Sequence, residues 1–267
     1  MGTTDEGNRE ELAAFLTVLQ RRDSGGQPFV IVGGQAVNFW AEMFLAVEPR
    51  LSTHLPFTSK DLDLIGTKQD AERVALSAGW RLSPPAVGGG PVEAVLSLGS
   101  GDRALRVEFL REIKGVSAET IGEYARETSV RHPGTTEPIA ARVLDPVLLL
   151  FGKLRNAVDI EQDLADRPRQ DVKHVQMLSL CVPHFLNELL KQSVSESARW
   201  DDCRKYITML AALRRTYSAR QFETRHPGVI AWNELVPQSI RQVPWDPEAR
   251  RSLRQLDETT SSRGMRI

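Results

Sequence analysis

Two aspartates, Asp61 and Asp63, stand two residues apart in the run Lys60-Asp61-Leu62-Asp63-Leu64-Ile65. In an extended strand residues i and i+2 share a face, so both carboxylates project together while Leu62 and Leu64 project the opposite way. Carboxylates this close repel unless one is protonated or a cation sits between them. A hard divalent cation such as Mg²⁺ takes oxygen ligands of this kind. A third acid, Glu108, falls in the segment Ala104 to Leu110, where Leu105, Val107 and Phe109 share one face and Arg106, Glu108 and Leu110 the other. Three carboxylates from neighbouring strands can hold two metal ions about 3.5–4 Å apart, the arrangement that serves in-line transfer at phosphorus. Each piece also has a plainer reading. An Asp-x-Asp pair occurs on solvated strand edges and turns, and a lone glutamate such as Glu108 is commonly an exposed sheet residue.

The elements that would position these acids can be read from periodicity. Leu12, Phe15, Leu16 and Leu19 recur at helical spacing. Phe29 to Val32 is a short apolar, β-branched run that predicts a buried strand. Gly33-Gly34 then stops it, and Ala36 to Leu45 predicts a helix. Glycines at such a junction let the backbone turn sharply and approach a ligand, and the helix start presents free N–H groups. After an irregular stretch with Pro49 and Pro56 come the Asp-x-Asp strand, a helix over about residues 69–78, and a loop rich in proline and glycine. Val92 to Leu98 and Ala104 to Leu110 predict two strands, joined at Gly99-Ser100-Gly101-Asp102 as a hairpin. From Asp145-Pro146, a good N-cap and first-turn pair, a helix is predicted that includes Leu149, Leu150, Lys153 and Leu154, with others at about 168–181, 183–192, 198–216 and 248–257. The expected fold is α+β, a small mixed sheet flanked by helices and followed by a helical C-terminal half. Its expected domains are residues 1–140 and 141–258, with 259–267 a disordered tail.

Composition excludes several classes. The 267 residues are 41% hydrophobic with a net charge of −1, so the whole molecule has no strong pull toward nucleic acid or membrane. The charge is uneven, however. Residues 199–267 hold 13 basic and 8 acidic groups, a surplus that suits an anionic partner or simply a solvated surface. Cys181 and Cys203 cannot build a zinc site alone and match no redox spacing, which leaves them as buried thiols in a reducing compartment. No secretory signal is visible, and the apolar passage from Phe29 to Val47 is too polar to span a bilayer. A soluble, cytoplasmic protein without a membrane partner is expected. Gly88-Gly89-Gly90 precedes Pro91 and a strand, so it is not a phosphate loop. Trp200, Tyr206 and Tyr217, interleaved with Arg204, Lys205, Arg214 and Arg215, have the chemistry to stack on and pair with RNA. At helical spacing the favoured reading is half core and half solvated face.

The order of these pieces resembles a known family. Val30-Ile31-Val32-Gly33-Gly34-Gln35-Ala36, then Thr58-Ser59-Lys60-Asp61-Leu62-Asp63-Leu64, then Val107-Glu108-Phe109-Leu110 resemble the polymerase-β-type nucleotidyltransferase superfamily, and within it the AbiEii/AbiGii-type toxin nucleotidyltransferases. The likeness covers residues 28–115 and continues more loosely through 145–178, where Leu144 to Leu154, Arg167, Arg169 and Asp171 resemble a basic nucleotide-contacting segment. Three departures stand out: Glu108 replaces the more common aspartate, Gln170 replaces a basic residue before Asp171, and the arginine often seen shortly before the Asp-x-Asp strand is not clearly placed, its charge falling to Lys60. The resemblance implies an enzyme that moves a nucleoside monophosphate from an NTP to an acceptor hydroxyl, with two Mg²⁺ ions. It further implies that Gly33 and Gly34 offer backbone N–H groups to the triphosphate and that Ser59 and Lys60 touch its oxygens. Asp61, Asp63 and Glu108 would hold metal, and Lys153 would neutralise phosphate, although it also fits a surface lysine on an amphipathic helix. Asp171 would orient Lys153 or an arginine, or cap its helix. The implied acceptor is the 3′ end of tRNA, and the implied partner a cognate antitoxin protein. Two alternatives remain: a small-molecule (aminoglycoside-like) or protein nucleotidylyltransferase, and a catalytically weak binding module of the same fold.

Overall fold

A computed structural model describes residues 14–57, 59, 61–85, 90–100, 104–130, 138–160, 169–192 and 196–258. The chain divides into two compact units, one of residues 1–42 and 56–152, the other of residues 43–55 and 153–267. The protein is α+β, a mixed sheet with flanking helices and a helical C-terminal region.

Apolar alternation builds the sheet of the first unit. Its described strands are β1 (Val30–Val32), β2 (Asp61–Ile65), β3 (Arg81–Ser83), β4 (Val92–Leu98), β5 (Leu105–Leu110), β6 (Ala125–Val130) and β7 (Ile139–Leu144), in the order β3-β4-β5-β2-β1-β7-β6. β2 runs antiparallel to β1 and parallel to β5. Leu62, Leu64, Val107 and Phe109 are buried on one face, each at 2% exposure or less. Burial of each stabilises by roughly 1.5–3 kcal/mol. Phe29 closes edge-on against Phe109 at 5.4 Å. Val30, Ile31 and Val32 are all buried, as befits a strand inside the sheet.

Helix α1 (14–19) lies on the N-terminal side of β1, and Phe15 stacks on Trp80 at 6.2 Å. Helix α2 (Gly33–Phe44) begins at the glycine pair, three residues ahead of the expected start at Ala36. Its Trp40 indole N–H donates to the Leu144 carbonyl at 2.8 Å. Helix α3 (Lys68–Ala78) opens with a reciprocal cap between Thr67 and Asp70. Helix α4 (Ala118–Tyr124) leads into β6, and α5 (Pro146–Asp159) follows β7.

The second unit is helical, with α6 (Asp171–Gln192), α7 (Glu196–Arg214), α8 (Tyr217–Arg225), α9 (Gln238–Arg241) and α10 (Pro247–Asp257). The two segments expected at 168–181 and 183–192 are one helix, because α6 continues through Pro183. Proline removes one backbone donor and strains the preceding turn. Here Cys181, Val182, Phe185 and Leu186 are all buried around it, and that burial holds the helix together. Among the described residues no helix is long and apolar enough to cross a membrane. The expected tail at 259–267 and residues 101–102 of the expected hairpin turn lie outside the described residues.

Candidate functional site

Asp61 and Asp63 both lie on β2 with the half-exposed side of the strand, opposite buried Leu62 and Leu64. The parallel register with β5 sets Asp61 against Arg106 and Asp63 against Glu108. Side chains at paired positions leave the sheet on the same face. Two rows therefore run side by side, an acid with an arginine and an acid with an acid.

The antiparallel register with β1 sets Asp63 against Val32, the last residue before the glycine turn. Gly33 adopts φ +64°, and a Cβ added there would stand 1.7 Å from the Asp63 Oδ2 and 2.7 Å from its Cγ. The backbone of the turn thus presses against this carboxylate, and only a glycine allows both the turn and the contact. Gly34 is buried in the first turn of α2. One residue on, the Gln35 side-chain amide donates to the Ser59 carbonyl at 2.7 Å, tying the helix start to the segment that enters β2. The Ser59 hydroxyl donates to the Asp61 carbonyl at 3.1 Å, so that hydroxyl is already used in fixing the strand entry. Lys60 lies outside the described residues.

Arg106 is the member of this face whose role the sequence did not declare. Its Nη2 donates to Glu108 Oε1 at 2.8 Å, and its Nε lies 4.0 Å from Asp61 Oδ1. One guanidinium thus spans acids from two strands. Among the described residues no group of three or more His, Cys, Asp and Glu side chains stands close enough to hold a metal ion. The residue types are those a hard cation takes, carboxylate oxygens on one face of two adjacent strands.

Lys153 belongs to the second unit, where it is largely buried rather than a surface lysine. Its Nζ donates to Asp171 Oδ1 at 2.9 Å, and the Arg169 Nε donates to Asp171 Oδ2 at 2.7 Å. Asp171 is 2% exposed. Burial pushes its carboxyl up, but the charges and hydrogen bonds of Lys153 and Arg169 outweigh that and hold it below the usual carboxylate range. Asp171 therefore orients both cations. His174, one turn along α6, is buried with no partner for Nδ1 among the described residues. Burial, reinforced by the charge of Lys153, lowers its imidazole to about 3.

The residues with RNA-stacking chemistry are mostly engaged within the second unit. Tyr206 is 1% exposed. Trp200 packs edge-on against Trp245 at 5.4 Å, and Arg204 lies between Asp201 and Asp246. Arg214 donates to the Gln255 carbonyl and sits over the Trp232 ring. Tyr217 is exposed. Half core and half solvated face describes this group.

Comparison of the chain with protein-family models finds no match, and comparison with curated proteins finds none either.

Proposed function

We propose that the protein is a divalent-metal-dependent nucleotidyltransferase. One observation carries this reading: Asp61, Asp63 and Glu108 share one face of adjacent strands at the foot of a strand–glycine–helix turn whose backbone touches Asp63. In this reading Asp61, Asp63 and Glu108 hold Mg²⁺. Bound divalent ions supply charge neutralisation at the triphosphate and lower the pKa of an attacking hydroxyl. The backbone N–H groups of Gly33 and Gly34, at the start of α2, bind phosphate oxygens. Gln35 and Ser59 keep the entry to β2 fixed so that the two aspartates are held in place. Glu108 accepts the acceptor hydroxyl's proton, the oxygen attacks the α-phosphorus, and pyrophosphate leaves.

More specifically, we propose an NTP as donor and the 3′ end of tRNA as acceptor, a growth-inhibiting reaction countered by a partner antitoxin. The surplus of basic over acidic residues in 199–267 supports an RNA acceptor. A second reading, a binding module of the same fold without turnover, is favoured by the Arg106–Glu108 pair, which occupies the third carboxylate.

Incubation with α-labelled NTPs, Mg²⁺ and total tRNA separates them. Label on tRNA with the wild type, lost in Asp61→Ala/Asp63→Ala, supports transfer. Equal labelling by the two proteins refutes the roles given to the aspartates. Label on no acceptor, with NTP still bound, moves the reading to the binding module, and label on an aminoglycoside or a protein side chain changes the substrate class.

A further inference from the structure

We infer that Arg106 is the resident counter-ion of this carboxylate group, and that a divalent cation fills the site only by displacing it. The inference rests on the metal-site reading above. The guanidinium stays on the acid face because β5 pairs in parallel with β2, with Asp61 opposite Arg106 and Asp63 opposite Glu108. It touches Glu108 at 2.8 Å and lies 4.0 Å from Asp61. On its other side β4 places Ser97 opposite Arg106 and Val95 opposite Glu108, neither of them charged. The Arg81 guanidinium donates to the Ser97 hydroxyl at 3.3 Å, and the acid that β4 carries, Glu93, is paired with Arg111 at 3.4 Å. Among the described residues Arg106 is thus drawn toward Asp61 and Glu108.

The guanidinium and a metal ion compete for the same carboxylate oxygens. Mg²⁺ carries twice the charge but gives up its water reluctantly. The exchange therefore has a threshold that a bare three-carboxylate site would lack. A triphosphate lowers that threshold, because it offers the displaced planar fork a bidentate anionic partner. By reciprocity, metal then strengthens nucleotide binding by the same factor. Metal and nucleotide arrive together, and the metal alone binds weakly.

The test uses Mn²⁺ alone, without nucleotide, titrated into the full chain and followed by paramagnetic resonance of the free ion and by calorimetry. Arg106→Gln is expected to bind Mn²⁺ about 10- to 100-fold more tightly than the wild type, the range set by losing one charge-assisted bond. Arg106→Lys keeps the charge without the planar fork and should fall between them, so it decides the matter if the Gln variant does not fold. Asp61→Asn/Asp63→Asn should abolish the binding. In the wild type, the Arg106 side-chain N–H resonance should shift over the same Mg²⁺ range in which the site fills. Equal affinity of the wild type, Gln and Lys forms, or an Arg106 resonance that Mg²⁺ leaves unmoved, overturns the inference and leaves the metal site standing. No binding by any form, or binding that ignores the Asp61/Asp63 substitutions, overturns both.

Discussion

Replacing Gly33 by alanine should damage the catalytic face and the fold together, and the size of the effect can be worked from the turn. At φ +64° an L-residue pays about 1–2 kcal/mol relative to glycine. The new Cβ would stand 1.7 Å from the Asp63 Oδ2 and 2.9 Å from its Cβ, so the Asp63 side chain must leave its rotamer at roughly 0.5–1.5 kcal/mol or the start of α2 must shift. The expected destabilisation is about 2–3 kcal/mol. For a chain of this size that corresponds to a fall in Tm of roughly 4–12 °C. Urea unfolding of Gly33→Ala, Asp63→Ala and the double variant forms the assay. Shortening Asp63 relieves the worst of the overlap, so the double variant should be about 1 kcal/mol more stable than the two single changes would sum to. Additivity within about 0.3 kcal/mol would refute the claim that this glycine exists to admit that carboxylate.

Other outcomes follow from the same structure. Asp61→Asn/Asp63→Asn should keep the fold, with Tm unchanged or raised because two like charges on one face are removed, while label transfer falls to background. His174 is held at about 3, against about 6.5 in an unfolded chain. The unfolded chain therefore binds the extra proton between those values, and stability drops as pH falls through 6.5 until it levels near the folded value. Chemical denaturation should show a loss of about 2 kcal/mol between pH 6.5 and 5 from this group, and His174→Phe should flatten that limb. Asp171, whose pKa is lowered, acts in a separate window, its contribution being lost only below about pH 4. Lys153→Met leaves buried Asp171 with Arg169 alone and should cost about 2–3 kcal/mol in equilibrium unfolding, less than a fully orphaned buried charge. Cys181 and Cys203 are fully buried, and burial raises both thiols, Cys203 to about 11. Ellman's reagent should leave both untouched in the native protein and react with both in guanidinium.

The parts of the fold that alternate cleanly were legible from residues alone. Apolar and polar residues alternate over 61–64 of β2 and 105–109 of β5, and the acid face follows directly from that period. β3, with its exposed-side pattern, and β6, Ala-Arg-Glu-Thr-Ser-Val, carry little apolar signal because edge strands bury less. β7 lies inside the sheet between β1 and β6, and its Arg142 interrupts the apolar run. Helix α8 was not anticipated, since Thr216 both ends one helical stretch and caps the next. The cation at the site was hidden for a topological reason. Arg106 shares a face with Glu108 by local period, but its position opposite Asp61 depends on β2 and β5 pairing in parallel, which no local pattern states. The Lys153–Asp171 bond joins residues 18 apart on different helices, and its strength comes from burial that neither residue type advertises.

The decisive measurement is an anomalous-scattering map from crystals grown with Mn²⁺ and a non-hydrolysable NTP. A peak about 2.0–2.3 Å from carboxylate oxygens of both Asp61 and Asp63, with Glu108 released from Arg106 and the triphosphate at the Gly33-Gly34 turn, is the predicted result. Nucleotide bound elsewhere, or a metal that touches neither aspartate, would contradict it.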